Sequence, residues 1–264
     1  MIKPSGLVAL LTDYGLQDAY AGILKGALLS VNPAARVVDL THDIPPQDIR
    51  EGGRVLSAAR PYFPRGTVFV AVVDPGVGTD RAILGVETDR HYFLAPDNGI
   101  LSFLDRGGRI RRIVRVTESR YFLKPLSRTF HGRDIFAPVA GHLSKGVDLG
   151  RFGPGIGRMT TSEASAPRVT SAGAVHGEVV SIDRFGNLIT NIPGDLLQDS
   201  RDVRITVGKR VVRALSDSYA DAKKGELLAL VGSTGHLEIS VNQGSARKAA
   251  RIQRGDRVLI TRTP

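Results

Sequence analysis

One stretch strongly constrains the fold: the uncharged, mostly β-branched run 67–73, followed at once by Asp74, Pro75 and a glycine-rich turn. Such a run is typical of a strand that is buried on both faces of a parallel sheet. Proline and glycine end the strand and let a ligand approach the backbone closely. Asp74 is therefore expected at the carboxyl end of a central strand, where open α/β sheets bind ligands. Arg81 can fold back over the turn as its counter-charge, although a turn-capping aspartate beside a solvent-facing arginine would have the same spacing.

The part of the chain before this stretch alternates apolar runs with helical patterns. An apolar run at 7–11 and a second predicted strand at 36–40 flank a helix expected at about 18–31, and Asp48 is placed to cap a helix that ends near Arg60. This β-α-β-α-β order predicts parallel strands with right-handed crossovers. We therefore expect an α/β N-terminal domain with a mainly parallel central sheet.

Carboxylates follow four consecutive strands of this predicted sheet. They lie at Asp13, at Asp39 and Asp43, at Asp74, and at Asp97. Turns favour aspartate, so each of these residues alone is a weak signal. Together they predict a ligand crevice at one edge of the sheet.

A histidine follows a basic stretch that we expect to be irregular. His131 precedes Gly132, which frees the backbone beside it, and Asp134 can cap a helix that runs to about Leu143. At such a loop-to-helix junction a histidine can titrate near neutral pH, although a packing or capping role is equally compatible with the sequence.

The chain changes character beyond Ala174. Short strand-like runs separated by Gly, Asp and Ser turns predict a small antiparallel barrel or sandwich. The preceding stretch is rich in small and polar residues and lacks apolar periodicity. We expect an N-terminal domain at 1–160, a linker at 161–173, and a smaller, β-barrel-like C-terminal domain at 174–264.

Composition excludes several classes of protein. The chain has 264 residues and no cysteine, which excludes disulfides, thiolate nucleophiles and cysteine-based zinc sites. No apolar run reaches the roughly 18 residues of a membrane span, and the start of the chain lacks signal-peptide features, so we expect a cytoplasmic protein without a membrane partner. The net charge of +10 is spread along the chain and aromatic residues make up only 6%, so we expect no nucleic-acid partner.

The order of six motifs resembles the S-adenosyl-L-methionine (SAM) hydroxide adenosyltransferases, or SAM hydrolases, which are related to the SAM-dependent fluorinase and chlorinase. The motifs lie at 11–15, 39–44, 73–78, 96–99, 129–134 and 183–187. The resemblance extends over about residues 8–260 and implies a homotrimer with ligand held between neighbouring subunits. The implied reaction converts SAM and water to adenosine and L-methionine by attack on the 5′ carbon of the ribose, with no cofactor and no metal.

The resemblance also implies roles for individual residues. Asp74, Arg81 and His131 match the set proposed to hold and activate the water, and which of them acts as the base stays open. Asp13 matches the carboxylate that binds the ribose diol. The implied substrate-binding residues of the C-terminal domain are Asp183 near the methionine ammonium, Asn187 at the adenine edge, Tyr219 as a stacking residue, and Phe185, Ser233 and Glu238 in ligand-binding segments.

Three alternatives stay open. The halogenating relatives carry a non-acidic residue at the position of Asp74, and a carboxylate there would repel halide, so a SAM-dependent halogenase is disfavoured. The carboxylates at the strand ends are also compatible with a divalent cation in a phosphohydrolase. A SAM- or adenosine-binding protein without catalytic activity is the third alternative.

Overall fold

The computed structural model describes residues 2–105, 107, 109–162, 166–197 and 203–262. The chain divides into two compact units, Met1–Ala164 and Ser165–Pro264. Within the described ranges, none of the helices combines the length and the apolar character needed to cross a bilayer.

The described part of the N-terminal unit is built on a mixed seven-stranded sheet. Its strands are β1 (Leu7–Thr12), β2 (Arg36–Thr41), β3 (Val68–Val72), β4 (Ile83–Thr88), β5 (Tyr92–Pro96), β6 (Ile110–Arg115) and β7 (Gly155–Ile156). They lie in the order β2-β1-β3-β5-β4-β6-β7. The pairings from β2 to β5 are parallel, whereas β5-β4, β4-β6 and β6-β7 are antiparallel. The expectation of a mainly parallel sheet therefore holds for one half of it.

The antiparallel half arises from β4, β6 and β7, which the sequence pattern did not reveal as strands. β4 begins just after Arg81 and returns antiparallel to β5. β6 lies in the basic stretch that was expected to be irregular. A strand can form there because its charge is paired: Arg112 contacts Glu87 at 3.0 Å and Asp148 at 2.9 Å. The charge of Arg112, which makes this strand hard to recognise in the sequence, is therefore neutralised by carboxylates in the fold.

Helices cover both faces of the sheet. They are α1 (Tyr20–Val31), α2 (Ile49–Ala59) and α3 (Ala137–Ser144). Alternate residues of β1 point to opposite faces: Val8 and Leu10 share a core with α1 and α3, whereas Ala9 and Leu11 share a core with Leu56 of α2. Because both faces are buried, the central strands have continuous apolar sequences. The predicted helix cap is confirmed, since the Asp48 carboxylate accepts a hydrogen bond from the Glu51 N–H at 3.0 Å.

The C-terminal unit is β-rich and barrel-like, as the sequence predicts. Its strands are β8 (Arg168–Val169), β9 (Val175–Ile182), β10 (Leu188–Pro193), β11 (Val203–Val207), β12 (Arg210–Val212), β13 (Leu227–Val231), β14 (His236–Val241) and β15 (Arg257–Arg262). They run β12-β11-β15-β9-β10-β14-β13, with β8 beside β9. Just beyond β12, the Ser216 N–H donates to the carbonyl of Ala229 in β13 at 2.8 Å. The two ends of the sheet therefore nearly meet around an apolar core.

Candidate active site

A buried ion pair lies at the carboxyl end of β3. Asp74 follows the fully buried Val73, and Arg81 folds back over the intervening turn, as the sequence predicts. The Arg81 Nε lies 3.0 and 2.9 Å from the two Asp74 carboxylate oxygens, and its Nη2 lies 2.5 Å from Oδ2. Only 5% of the Asp74 side chain and 11% of the Arg81 side chain are exposed. Their interaction is therefore little screened by water.

His131 extends this pair into a cluster of three groups. The Arg81 Nη2 lies 2.9 Å from the His131 Nδ1. Because a guanidinium can only donate, Nδ1 accepts this bond and the neutral ring carries its proton on Nε2. Burial and, second, the charge of Arg81 lower the pKa of His131 below its ordinary value. His131 therefore supports Arg81 as a neutral acceptor, and its Nδ1 is not free to act as a base.

Two local features fix the position of the segment that carries His131. Gly78 has a φ of +79°, and a Cβ there would overlap the carbonyl of Arg128, so glycine is required at this close approach. The fully buried Asp134 accepts a hydrogen bond from the Ser127 N–H at 2.7 Å and contacts Arg133 at 2.6 Å. The prediction that Asp134 caps a helix is wrong, because its carboxylate instead closes the loop that carries His131.

Asp13 lies at the end of β1 on a braced loop. Its Oδ2 accepts a hydrogen bond from the Gln47 N–H at 2.9 Å, and Gln47 adopts a left-handed backbone conformation with a φ of +64°. Such a conformation is uncommon for a residue other than glycine and persists only where the surroundings enforce it. Beneath the loop, the Thr12 hydroxyl and the His42 Nδ1 are 2.8 Å apart, and both residues are buried.

Sequence reasoning did not include Tyr14 among the site residues, although it lies beside Asp13 and near the cluster of Asp74, Arg81 and His131. Its ring packs edge-on against Phe130 and Tyr20, with centroid distances of 5.8 and 6.1 Å. Burial and then the Asp13 and Asp74 carboxylates raise the pKa of Tyr14 well above its ordinary value. Its proximity to both carboxylates links the Asp13 loop to the Asp74 cluster. The only signal in the sequence is its position beside Asp13 after a strand.

In the C-terminal unit, Asp183 organises the turn between β9 and β10. Its Oδ1 accepts hydrogen bonds from the N–H groups of Phe185 and Asn187, both at 2.9 Å. Its Oδ2 accepts a third from the Asn187 side-chain amide at 2.9 Å. The same turn leaves the Phe185 ring 75% exposed. This segment therefore combines an anchored carboxylate and an aromatic surface that the unit itself does not cover.

A second carboxylate lies near Asp183. Glu238 is 7% exposed, and its Oε1 accepts hydrogen bonds from the hydroxyls of Tyr219 and Ser240, both at 2.7 Å. The bond to Glu238 and then burial raise the pKa of Tyr219 to about 12, and the Asp183 charge adds to this rise. The two carboxylates of this region suit a cationic group. Ser233 is exposed in the turn between β13 and β14.

Two further strand-end carboxylates are bonded elsewhere: Asp39 contacts Lys25 at 2.6 Å and His42 at 3.2 Å. Asp97 accepts a hydrogen bond from the Thr160 N–H at 2.6 Å. Across the described ranges, no group of three or more His, Cys, Asp or Glu side chains is arranged to hold a metal ion. The structure thus brings Asp13, Tyr14, Asp74, Arg81 and His131 together in the N-terminal unit. It brings Asp183, Asn187, Tyr219 and Glu238 together in the C-terminal unit.

Comparison with known families covers nearly the whole chain. The SAM hydroxide adenosyltransferase N-terminal domain matches residues 8–153, and the C-terminal domain of the same family matches residues 177–259.

Individual relatives show similar coverage. An (R)-S-adenosyl-L-methionine hydrolase of Salinispora tropica is 38% identical over 98% of this chain and 99% of its own length. One of Thermus thermophilus is also 38% identical, over 94% of this chain and 96% of its own. The crystal structure of an uncharacterized conserved protein from Thermotoga maritima superposes with a TM-score of 0.91 and 40% identity, covering 97% of this chain and all of that one. Relatives named fluorinase align over nearly the same length at 23% to 25% identity.

Proposed function

The chain belongs to the SAM hydroxide adenosyltransferase family, and we propose that it hydrolyses SAM to adenosine and L-methionine. In this reaction an oxygen derived from water attacks the 5′ carbon of the ribose and the sulfur of methionine departs. The observation that carries the proposal is the buried cluster of Asp74, Arg81 and His131 at the carboxyl end of β3.

The chemistry matches what this cluster can supply. The leaving group is a neutral thioether that departs from a sulfonium, so the reaction needs no general acid. The rate must come from holding water in line with the carbon–sulfur bond and from taking up its proton. Arg81 occupies the single lone pair of the His131 Nδ1, whereas the Asp74 carboxylate has a further lone pair beside its bonds to Arg81, so we assign the proton to Asp74. Arg81 then orients the carboxylate and stabilises hydroxide character as it develops.

The other groups are proposed to bind the substrate. Asp13, which the Gln47 N–H holds in place, binds the ribose diol through its second oxygen. Asp183 and Glu238 attract the methionine ammonium. The remaining contacts that we propose come from Asn187 at the adenine edge, from Phe185 and Tyr219 against the adenine ring, and from Ser233 in the adjoining turn.

We also propose that the enzyme works without cofactor or metal, as a cytoplasmic homotrimer with each active site at a subunit interface. Exposed apolar side chains near the Asp13 loop support an interface there, since Leu16 is 68% and Ile23 is 41% exposed. Light scattering of the purified protein tests this assembly. The mass of three chains is expected, and the mass of a single chain would contradict it.

The alternatives have less support. A halide at the 5′ carbon would meet the Asp74 carboxylate, and the relatives named fluorinase are more distant than those named hydrolase. A phosphohydrolase needs a shared metal, whereas Asp97 and Asp13 are bonded to separate backbone N–H groups.

The test is to incubate chelator-treated protein with SAM and to separate the products by chromatography. Equal amounts of adenosine and methionine are expected. D74A should lower kcat by about 100-fold or more, whereas D80A, at the exposed aspartate of the same loop, should stay within about twofold of wild type. Activity that requires added metal, or tight SAM binding without turnover, would contradict the proposal.

A further inference from the structure

We propose that the Tyr14 hydroxyl is a further member of the nucleophile site and orients the attacking water together with Asp74. The inference rests on the proposed hydrolysis of SAM and assigns a role to a residue outside the Asp74, Arg81 and His131 cluster.

The position of the Tyr14 side chain is tightly determined. Its backbone N–H donates to the buried Thr12 hydroxyl at 3.2 Å, and its ring is enclosed by Phe130 and Tyr20, which are themselves 5.2 Å apart. The packing directs the hydroxyl toward Gly132, the neighbour of His131 in the chain. A tyrosine that is held in this way presents one polar atom beside the cluster at little conformational cost.

Gly132 provides independent support. A Cβ at this position would overlap the Tyr14 hydroxyl and would lie 3.2 Å from the ring of Phe130. Gly132 lies in a helical turn and is not one of the glycines with positive φ, so its backbone conformation is open to any residue. The need for glycine here therefore comes from the space that the Tyr14 hydroxyl occupies.

The hydrogen-bonding capacity of the hydroxyl suits water. Within the ranges that the structure describes, the Tyr14 hydroxyl makes no hydrogen bond to another protein group, whereas Asp74 and Arg81 are joined to each other. A hydroxyl can accept as well as donate, whereas the guanidinium can only donate. A water between Asp74 and Tyr14 gives one hydrogen to the carboxylate and the other to the Tyr14 oxygen. A lone pair of the water is then left facing the substrate.

The proposed step balances with Tyr14 unchanged. The water oxygen forms a bond to the 5′ carbon while the carbon–sulfur bond breaks. The electron pair of the carbon–sulfur bond stays with the departing sulfur. The proton of the water passes to Asp74. Tyr14 keeps its own proton throughout, because burial and the neighbouring carboxylates disfavour the phenolate. Tyr14 therefore orients the water and does not act as the base.

The first test compares Y14F with Y20F, which removes the hydroxyl of the neighbouring, more exposed ring in the same aromatic group. Y14F should lower kcat by about tenfold with KM for SAM unchanged, as expected for one hydrogen bond used in the transition state. Y20F should stay within about twofold of wild type. A Y14F enzyme with wild-type kcat, or a loss that appears only in KM, would overturn the proposal.

The second test uses the space at Gly132. G132A should displace the hydroxyl and lower kcat, whereas Y14F/G132A should be no less active than Y14F, because phenylalanine lacks the atom that the new Cβ overlaps. If the losses of kcat in Y14F and G132A multiply in the double variant, the proposed role of Tyr14 is contradicted. Thermal melting of each variant separates misfolding from a catalytic effect. Absence of SAM hydrolysis in wild type contradicts the proposed function itself, whereas an active wild type with a fully active Y14F contradicts only the role of Tyr14.

Discussion

The two units hold their candidate site residues in different ways. In the N-terminal unit, Asp74 and Arg81 are almost fully enclosed and bonded to each other, so their geometry is set before any ligand arrives. In the C-terminal unit, Asp183 is anchored by its own turn, while Phe185 beside it is 75% exposed. Under the proposed function, this difference separates two roles: the Asp74 cluster of the N-terminal unit performs the chemistry, and the Asp183 turn of the C-terminal unit binds the methionine part of the substrate. Substitutions in the Asp74 cluster should therefore change kcat, and substitutions at Asp183 and Tyr219 should change KM.

Among the substitutions that test this comparison between the units, R81K is expected to have the largest effect. Lysine keeps the positive charge but lacks the planar fork with which the guanidinium bonds to both Asp74 oxygens and to His131. We expect kcat to fall by about 100-fold with a small change in KM, measured by steady-state kinetics with SAM. R128K, at an exposed arginine of the neighbouring loop, is the control and should be close to wild type. If R81K mainly raises KM, the cluster binds substrate and does not take part in the chemistry.

D183N is expected to have the opposite kinetic signature. Asparagine keeps the oxygen that accepts from the N–H groups of Phe185 and Asn187, so the turn is largely preserved while the charge is lost. KM for SAM should rise by about tenfold, with kcat within about threefold of wild type, because the proposed charge-assisted contact to the ammonium is removed. A fall in kcat as large as that of R81K would contradict the separate roles that we propose for the two units.

The two units can also be compared by how the free energy of unfolding depends on pH. His91 is 2% exposed in the N-terminal unit, and burial followed by the charges of Arg90 and Arg60 lowers its pKa to about 4. The folded protein therefore keeps His91 neutral, while the unfolded chain takes up a proton below its ordinary pKa of 6.5. Stability is lost as the pH falls from about 6.5 toward 4, and this loss is on the order of 2 kcal/mol at about pH 5.

H91F removes this titration, so its unfolding free energy should fall less steeply with acid than that of wild type. Urea unfolding at several pH values measures the difference. H176F, at an exposed histidine of the C-terminal unit, is the control and should retain the wild-type pH dependence. Identical slopes for H91F and wild type would show that His91 is not the source of the acid sensitivity.

Y219F should have the smallest effect. It removes the hydrogen bond from Tyr219 to Glu238 and leaves the bond from Ser240 to the same oxygen. We expect KM to rise by about threefold with kcat unchanged, which corresponds to one ordinary hydrogen bond. Isothermal titration with the product methionine should show the same factor, since the effect is on binding. A loss of kcat would place Tyr219 in the chemistry.

The sequence predicted those features of the fold that depend on residues close together in the chain. The run that ends at Asp74 reads as a strand because both of its faces are buried, and Asp48 reads as a helix cap because capping involves a few adjacent residues. β4 and β6 were missed because their pairing, and the neutralisation of Arg112 by Glu87 and Asp148, depend on residues far apart in the chain.

The same reasoning applies to the candidate site. Arg81 is close enough to Asp74 in the chain for their pairing to be expected, and it is observed. Tyr14 could not be assigned, because its position follows from the space at Gly132, more than a hundred residues away. The role of His131 was left open because only the structure places its Nδ1 against Arg81.

The most direct test follows oxygen from solvent into product. Wild type and D74A are incubated with SAM in water enriched in oxygen-18, and the products are analysed by mass spectrometry. Attack of water on the ribose 5′ carbon predicts one labelled oxygen in adenosine and none in methionine, with little adenosine formed by D74A. Unlabelled adenosine, label in an amino-acid product, or undiminished labelling by D74A would contradict hydrolysis at this carbon by water that Asp74 activates.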